Sequence, residues 1–245
     1  MGFFFVTSDI FKLLMIASFK CDYEKIYITG QSRTDSIFNS NKKISEIIDD
    51  VDGKIVFYSP TYKEIKRTDK REVEKEFTNI FYMDDYDKEY FINFLEKNKI
   101  TFILKPHPFD EWFYRDYNPE SNRVLVIYSD TFTSKNIYTY EIFNSIDVMI
   151  SDFSSIVIDF AITKKPIIIL DALTNEYVTN RGFILEDNFY DIMPGERVST
   201  FKHLMDVLEK QIYEPKCNYA DMLERLHKYA DGNSCARITS VMKSL

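Results

Sequence analysis

The sequence predicts an α/β fold built on a doubly wound parallel sheet. Residues 148–171 read VMISDFSSIVIDFAITKKPIIILD. This is an apolar run (148–151), a turn (152–155), a helical stretch (156–163) and a second apolar run (166–170). A strand–helix–strand unit of this kind joins parallel strands by a crossover. Residues 100–108 read ITFILKPHP, a buried-strand pattern that runs directly into Lys105-Pro106-His107-Pro108. Finally, apolar runs and helical periodicity alternate along the chain, the order expected of a parallel sheet covered by helices.

Taken in order, the strand-like runs are 25–29, 54–58, 101–104, 124–128, 148–151 and 167–170. Between them, 87–97 (DKEYFINFLEK) puts Tyr90, Phe91, Phe94 and Leu95 on one helical face. Residues 135–146 and 201–212 show the same periodicity. Residues 219–230 and 235–245 read as closing helices, separated by Asp231-Gly232, a helix stop and restart. The most polar stretch, 63–78, reads as a mobile loop or a solvated helix. Neither an internal repeat nor a low-complexity linker interrupts this order. The expectation is one Rossmann-like nucleotide-binding domain over 1–245, with 1–24 as an amino-terminal extension and 215–245 as the closing helices.

In open parallel sheets the ligand site lies beyond the carboxyl ends of the strands. Both the 152–155 turn and the 105–108 loop fall there. Asp152, Ser154 and Ser155 at a helix start fit two roles equally: capping the helix, or holding an anion with the hydroxyls and free N–H groups. Lys105 is a point charge suited to phosphate, and His107 can serve as acid, base or donor. The alternative is a surface loop with a solvated Lys and a structural His. The prolines flanking His107 stiffen the loop, and its place at a strand end favours function.

Composition narrows the classes. Hydrophobic residues make up 45% of the 245 residues, enough for a sizeable core. The sequence contains neither G-x-G-x-x-G nor G-x-x-x-x-G-K-[ST]. The net charge of −8 argues against a general nucleic-acid binder. Three Cys and three His are scattered without metal-ligand spacing; no metal site or cofactor is expected, and a divalent cation stays open as the alternative. The opening MGFFFV lacks the basic region of a signal peptide, and nowhere do 18 apolar residues run together.

Several short motifs then follow one another in a recognisable order. They are Gly30-Gln31-Ser32-Arg33-Thr34-Asp35, Ser59-Pro60-Thr61-Tyr62-Lys63, Lys105 to Pro108, and Ser151 to Ser155 with Asp159. Arg181-Gly182-Phe183, Pro194-Gly195 with Val198, and Asp231-Gly232 with Arg237 complete the series. This series resembles the carboxyl-terminal, nucleotide-binding half of the CDP-glycerol:poly(glycerophosphate) glycerophosphotransferases, the teichoic-acid and capsule polymerases. The resemblance runs through nearly all of the chain. It implies a GT-B fold, a CDP-activated polyol as donor, and a polymer or lipid-linked acceptor. The location it implies is the cytoplasm or the inner face of the membrane.

By the same resemblance, His107 contacts the phosphates or the transferred group. Ser154 and Ser155 hold the pyrophosphate, with Lys105 and Asp152 beside them and Arg181 neutralising charge. Asp159 either bonds a ribose hydroxyl, pairs with Thr163 one turn on, or lies exposed. Arg33 and Asp35 either contact substrate or form a hinge salt bridge. Two departures stand out: Ser32 replaces a Pro, and Lys63 an Arg. The family's upstream His-Gly-Thr segment and amino-terminal acceptor domain have no counterpart in this sequence. The expectation is therefore a truncated or split transferase, paired with a separately encoded amino-terminal half and weakly active or inactive alone. A GT-B glycosyltransferase using a nucleotide sugar, and a non-catalytic nucleotide-binding remnant, are the other readings.

Overall fold

A computed structural model describes residues 2–62, 79–152, 154–171, 193–217 and 219–245. Its main sheet has six parallel strands: β3 (Lys54–Ser59), β4 (Ile100–Leu104), β5 (Val124–Val126), β6 (Val148–Ser151), β7 (Ile167–Leu170) and β8 (Glu196–Val198). They lie in the order β5-β4-β3-β6-β7-β8, and every neighbouring pair is parallel. The chain moves outward from β3 to β5, then returns to the other side of β3 at β6. That reversal makes the β3/β6 junction the topological switch point of a doubly wound sheet.

Alternate residues of the central strands feed two separate cores, as a parallel sheet covered on both faces requires. Val56, Tyr58, Phe102, Leu104, Val148, Ile150 and Ile168 face one side. There they pack against Phe91 and Leu95 of a helix spanning Lys88–Lys97, and Leu204 and Leu208 of another spanning Phe201–Tyr213. Phe57, Ile103, Met149, Ile167 and Ile169 face the other, against Ile142, Phe143, Val157 and Phe160. The first core holds a cluster of rings in edge contact, Phe81 with Phe91 and Phe102 and Tyr86 with Phe201.

The run at 25–29 behaves differently from the others. Ile26–Ile28 (β2) leaves the main sheet and pairs in parallel with Phe4–Val6 (β1). A helix at Asp9–Phe19 (α1) joins the two, so the extension expected at 1–24 forms, together with β2, a small strand–helix–strand unit. No residue of α1 is buried. Among the described residues, the other α-helices, in chain order, are α2 (Asp35–Asn39), α3 (Lys88–Lys97), α4 (Glu111–Tyr114), α5 (Ser129–Ser134), α6 (Ile156–Phe160), α7 (Phe201–Tyr213), α8 (Ala220–Leu226) and α9 (Ser234–Ser244).

Three further details differ from the periodicity. Of the helix expected over 135–146, only Thr139–Ser145 is helical, as a 3-10 helix, and α5 ends just before it at Ser134. Asn136 between them adopts a left-handed conformation, φ 53°, which ends a right-handed helix. The closing helix expected at 219–230 is shorter, Ala220–Leu226. The Pro194-Gly195 turn leads into a strand, β8, whose short and charged Glu-Arg-Val sequence carries little strand signal.

Candidate functional site at the switch point

The carboxyl ends of β3 and β6 meet in register, Ser59 opposite Ser151. The Ser151 hydroxyl donates to the carbonyl of Ser59. One residue further, the Asp152 carboxylate accepts from the Thr61 N–H at 2.8 Å and from the Thr61 hydroxyl at 2.9 Å. Asp152 is 3% exposed. It therefore ties the 59–62 segment to the start of the 152–155 turn and does not cap α6. Ser154 Oγ accepts a long bond from the Ile156 N–H at 3.4 Å, and Ser155 makes no side-chain cap bond. With only five residues, α6 carries little dipole of its own, so the polar character of this turn comes from the two hydroxyls.

Lys105 and His107 leave the end of the adjacent strand, β4. The Lys105 N–H donates to Tyr58 O at 2.8 Å, extending the sheet by one step and fixing where the side chain departs. Burial pushes the Lys105 amine below its ordinary range, an effect that Glu111 partly offsets. The amine lies 5.8 Å from the centre of the Phe132 ring. His107 sits against two rings, Tyr62 at 5.6 Å and Phe109 at 5.4 Å. Its Nδ1 accepts from the Phe109 N–H at 3.3 Å. A neutral His107 with Nδ1 as acceptor carries its proton on Nε2.

Arg33 and Asp159 are brought together from positions 126 residues apart. Arg33 Nε donates to Asp159 Oδ2 at 2.8 Å, and the Tyr140 hydroxyl donates to the same oxygen at 3.0 Å. The Asp159 side chain is 2% exposed and that of Arg33 45%. Neither a Thr163 pair nor an exposed carboxylate describes Asp159: its partners are Arg33 and Tyr140. Burial, with Asp159 beside it, pushes the Tyr140 phenol well above its usual value. Asp35 has another task. Its carboxylate accepts from the Ser234 and Cys235 N–H groups at 2.9 and 2.8 Å, holding the start of α9. Burial works to raise the Asp35 carboxyl, but these bonds outweigh it and hold it below its usual range.

The closing motif packs on the first. Asp231 accepts a bidentate pair from Arg237 at 2.7 and 2.8 Å, which holds its carboxyl down to about 2. Arg237 Nε also donates to Thr29 O at 2.8 Å. Gly30 sits at φ +80°, and a Cβ there would lie 2.3 Å from Ser234 Oγ, so this crossing admits only glycine. Arg181 lies outside the described residues. The sequence points to Lys105, His107, Asp152, Ser154, Ser155, Asp159 and Arg33, but not to Thr61 and Tyr140, the partners of Asp152 and Asp159. Thr61 was visible as part of the Ser-Pro-Thr-Tyr motif. Tyr140 has no local signal, because its partner lies 19 residues away. Among the described residues, no group of three or more His, Cys, Asp or Glu could hold a metal ion.

Comparison with known proteins bears on the family and the fold. The family model for CDP-Glycerol:Poly(glycerophosphate) glycerophosphotransferase matches residues 1–243. The teichoic acid ribitol-phosphate polymerase TarK of Staphylococcus aureus (strain NCTC 8325 / PS 47) is 26% identical over 222 residues, 88% of this chain and 40% of TarK. The teichoic acid glycerol-phosphate primase of Bacillus subtilis (strain 168) is 25% identical over 242 residues, 97% of this chain and 55% of the primase. The chain thus spans about half the length of these curated relatives. Among solved structures, the wall teichoic acid polymerase TagF superposes with a TM-score of 0.66 at 18% identity, covering 99% of this chain and 58% of TagF. The matching part is the carboxyl-terminal portion of TagF. The UDP-GlcNAc 2-epimerase of Methanocaldococcus jannaschii, a GT-B-like fold, superposes with a TM-score of 0.58 at 14% identity.

Proposed function

We propose that this chain, which belongs to the CDP-glycerol:poly(glycerophosphate) glycerophosphotransferase family, is the donor-binding part of a polyol-phosphate transferase. The observation that carries the reading is the convergence of the 59–62, 105–108 and 152–155 segments at the carboxyl ends of β3, β4 and β6, beside the switch point. The donor is a CDP-activated polyol. An acceptor hydroxyl oxygen attacks the β-phosphorus, the bond from that phosphorus to the bridging oxygen breaks, and CMP leaves with the electron pair. The acceptor proton passes to a base. The fold and the short motifs also suit a nucleotide-sugar donor. The teichoic-acid relatives over 86–97% of the chain favour the polyol.

The residues divide the work by position. Lys105, Ser154 and Ser155 neutralise and hydrogen-bond the pyrophosphate. His107, protonated at Nε2, donates to a phosphoryl oxygen as charge builds on the leaving CMP. Asp152 positions the turn through Thr61, and Asp159 does the same for Arg33, whose half-exposed guanidinium then reaches the ligand. Acceptor binding falls to polypeptide equivalent to the remaining part of the relatives, carried on the same or a separate chain. The acceptor on this reading is a wall or capsule polymer at the inner membrane face.

Calorimetric titration of the purified chain with CDP, CMP, UDP and CDP-glycerol tests the reading. Cytidine nucleotides should bind in preference to UDP. Replacing both His107 and Ser155 with Ala should weaken CDP, because charge-assisted hydrogen bonds are worth roughly 1.5–3 kcal/mol each. Unchanged affinity in a folded double variant would show that the nucleotide sits elsewhere.

A further inference from the structure

Residues 79–86 form neither helix nor strand, yet they are pinned at three points. The buried Asn79 side chain accepts from the Phe81 and Met83 N–H groups at 3.0 and 3.2 Å and donates to Met83 O at 2.9 Å. Phe81 and Met83 are both buried in the first core. Asp85 accepts from the Phe201 and Lys202 N–H groups at 2.8 and 3.1 Å, at the start of α7. Between these anchors Tyr82 is held in a left-handed conformation, φ 56°. Among the described non-glycine residues with positive φ it is the only aromatic one. That region is costly for a bulky side chain. Residues of this kind persist where the surroundings over-determine them, and they cluster at functional sites.

The partners of Tyr82 all follow the carboxyl ends of β4 and β6. Its half-buried phenol pairs with the Tyr114 phenol through the side-chain oxygens and lies in the field of Asp110 and Asp152. Tyr114, Asp110 and Asp152 are themselves buried. Burial is the main cause that raises both phenols above their usual range, so both keep their protons and act as donors without adding charge. Tyr114 closes a tight turn that begins at His107. There Asp110 N–H donates to His107 O at 2.8 Å, Phe113 N–H to Asp110 O at 2.9 Å, and the Tyr128 hydroxyl to Tyr114 O at 2.8 Å. On the other side, Asp152 holds the 59–62 segment through Thr61. We propose that Tyr82 is a positioning residue of the transfer site, setting His107 against the 59–62 and 152–155 segments through Tyr114 and Asp110. The proposal rests on the donor reading above, in which His107 meets a phosphoryl oxygen. It adds to that reading a group that none of the short motifs contains. Two buried carboxylates repel each other strongly in a region of low dielectric. A pair of neutral phenols in the field of both offsets that repulsion and fixes how far apart the two loops stand.

The test follows imidazole signals by NMR in the chain labelled at histidine with a nitrogen isotope. The sequence has three His, and His107→Ala identifies the His107 signal by its loss. Tyr82→Phe and Tyr114→Phe each remove one hydroxyl and keep the ring. In the ligand-free chain, each should shift the His107 ring nitrogens and move the His107 titration midpoint, with His203 and His227 unmoved. The double variant should do no more than either single one, because the two hydroxyls act as a unit. His107 signals and titration unchanged in both single variants would overturn the proposal. Equal changes at all three His would also overturn it, since they would report a general loosening of the fold. Adding CDP to the parent chain should perturb His107. A His107 signal indifferent to CDP would overturn the donor reading, while the ligand-free comparison still decides whether Tyr82 positions His107.

Discussion

Asp159 shows how a residue can be legible by type and unreadable by partner. Its place four residues after Ser155 was plain from the motif, but the charge that holds it comes from Arg33, 126 residues earlier. Arg33→Met would leave a nearly fully buried carboxylate with only the Tyr140 hydroxyl. Breaking a buried pair from one side costs about 3–5 kcal/mol; with Arg33 half exposed, about 2–3 kcal/mol is expected. Urea unfolding measures this, and a loss below about 0.5 kcal/mol would show that the pair carries no net weight. His227 offers a second residue-scale test. Its Nε2 lies 2.8 Å from Ile158 O, and its Nδ1 is buried without a partner. Burial is the main cause that lowers its pKa from 6.5, with Arg33 nearby acting the same way and Asp159 and the Ile158 carbonyl against it. A lowered folded-state value means the unfolded chain binds the proton more readily. The stability it contributes is therefore full above pH 6.5 and lost as pH falls through the folded value. Thermal midpoints of the parent should drop between about pH 7.5 and about pH 5.5, and His227→Gln should drop less. Equal drops in both would assign the acid sensitivity to other groups.

At the scale of elements, the two ends of the described chain are joined by one cap. Asp35 closes the start of α9 through two backbone bonds, and Gly30 leaves the room that Ser234 occupies. Asp35→Ala should cost about 1–3 kcal/mol, a helix cap plus a charge-assisted bond. Hydrogen exchange should quicken over 234–244 while β3, β4 and β6 keep their protection. Uniform loss of protection would mean that α9 unfolds only with the whole core. The sequence read these segments as motifs 30–35 and 231–237 but not as neighbours, since no periodicity records a contact over 199 residues. Long apolar runs such as 101–104 and 148–151 were the easiest elements to read, because strands buried on both faces need apolar residues at every position. The split at Asn136 was hard to read for the opposite reason. Thr131, Thr133, Tyr138, Thr139 and Tyr140 are weak helix formers, yet the spacing of Ile137, Ile142 and Phe143 mimics a helical face. The doubly wound order itself followed from alternation, whereas the departure of β2 from the main sheet depends on pairing with β1, which only tertiary structure reveals.

At the scale of the whole molecule, one layer is incompletely covered. The β1–α1–β2 unit is a two-stranded parallel sheet, with Leu13 62% and Phe19 68% exposed on its helix. Parallel strands are normally covered on both faces, and two strands alone are marginal in water. Residues 4–28 should therefore exchange amide hydrogens well before the six-stranded sheet does. The crevice beside the switch point is built differently: every element that forms it is anchored in the main core. Donor binding and acceptor binding should accordingly separate in experiment. The chain alone should bind CDP-glycerol and transfer little or no glycerol phosphate. Catalysis of this kind depends on holding both reactants in register, and effective molarity is lost when one is free in solution. Supplying polypeptide equivalent to the amino-terminal part of the relatives should restore transfer, followed as CMP released in the presence of a polymer acceptor. In the same assay, His107→Ala should lower turnover more than donor affinity, because its Nε2–H meets a phosphoryl charge that increases further as CMP departs. Rapid CMP release with polymer growth by the chain alone would overturn this division. The β1–α1–β2 layer, or a second copy of the chain, would then have to hold the acceptor.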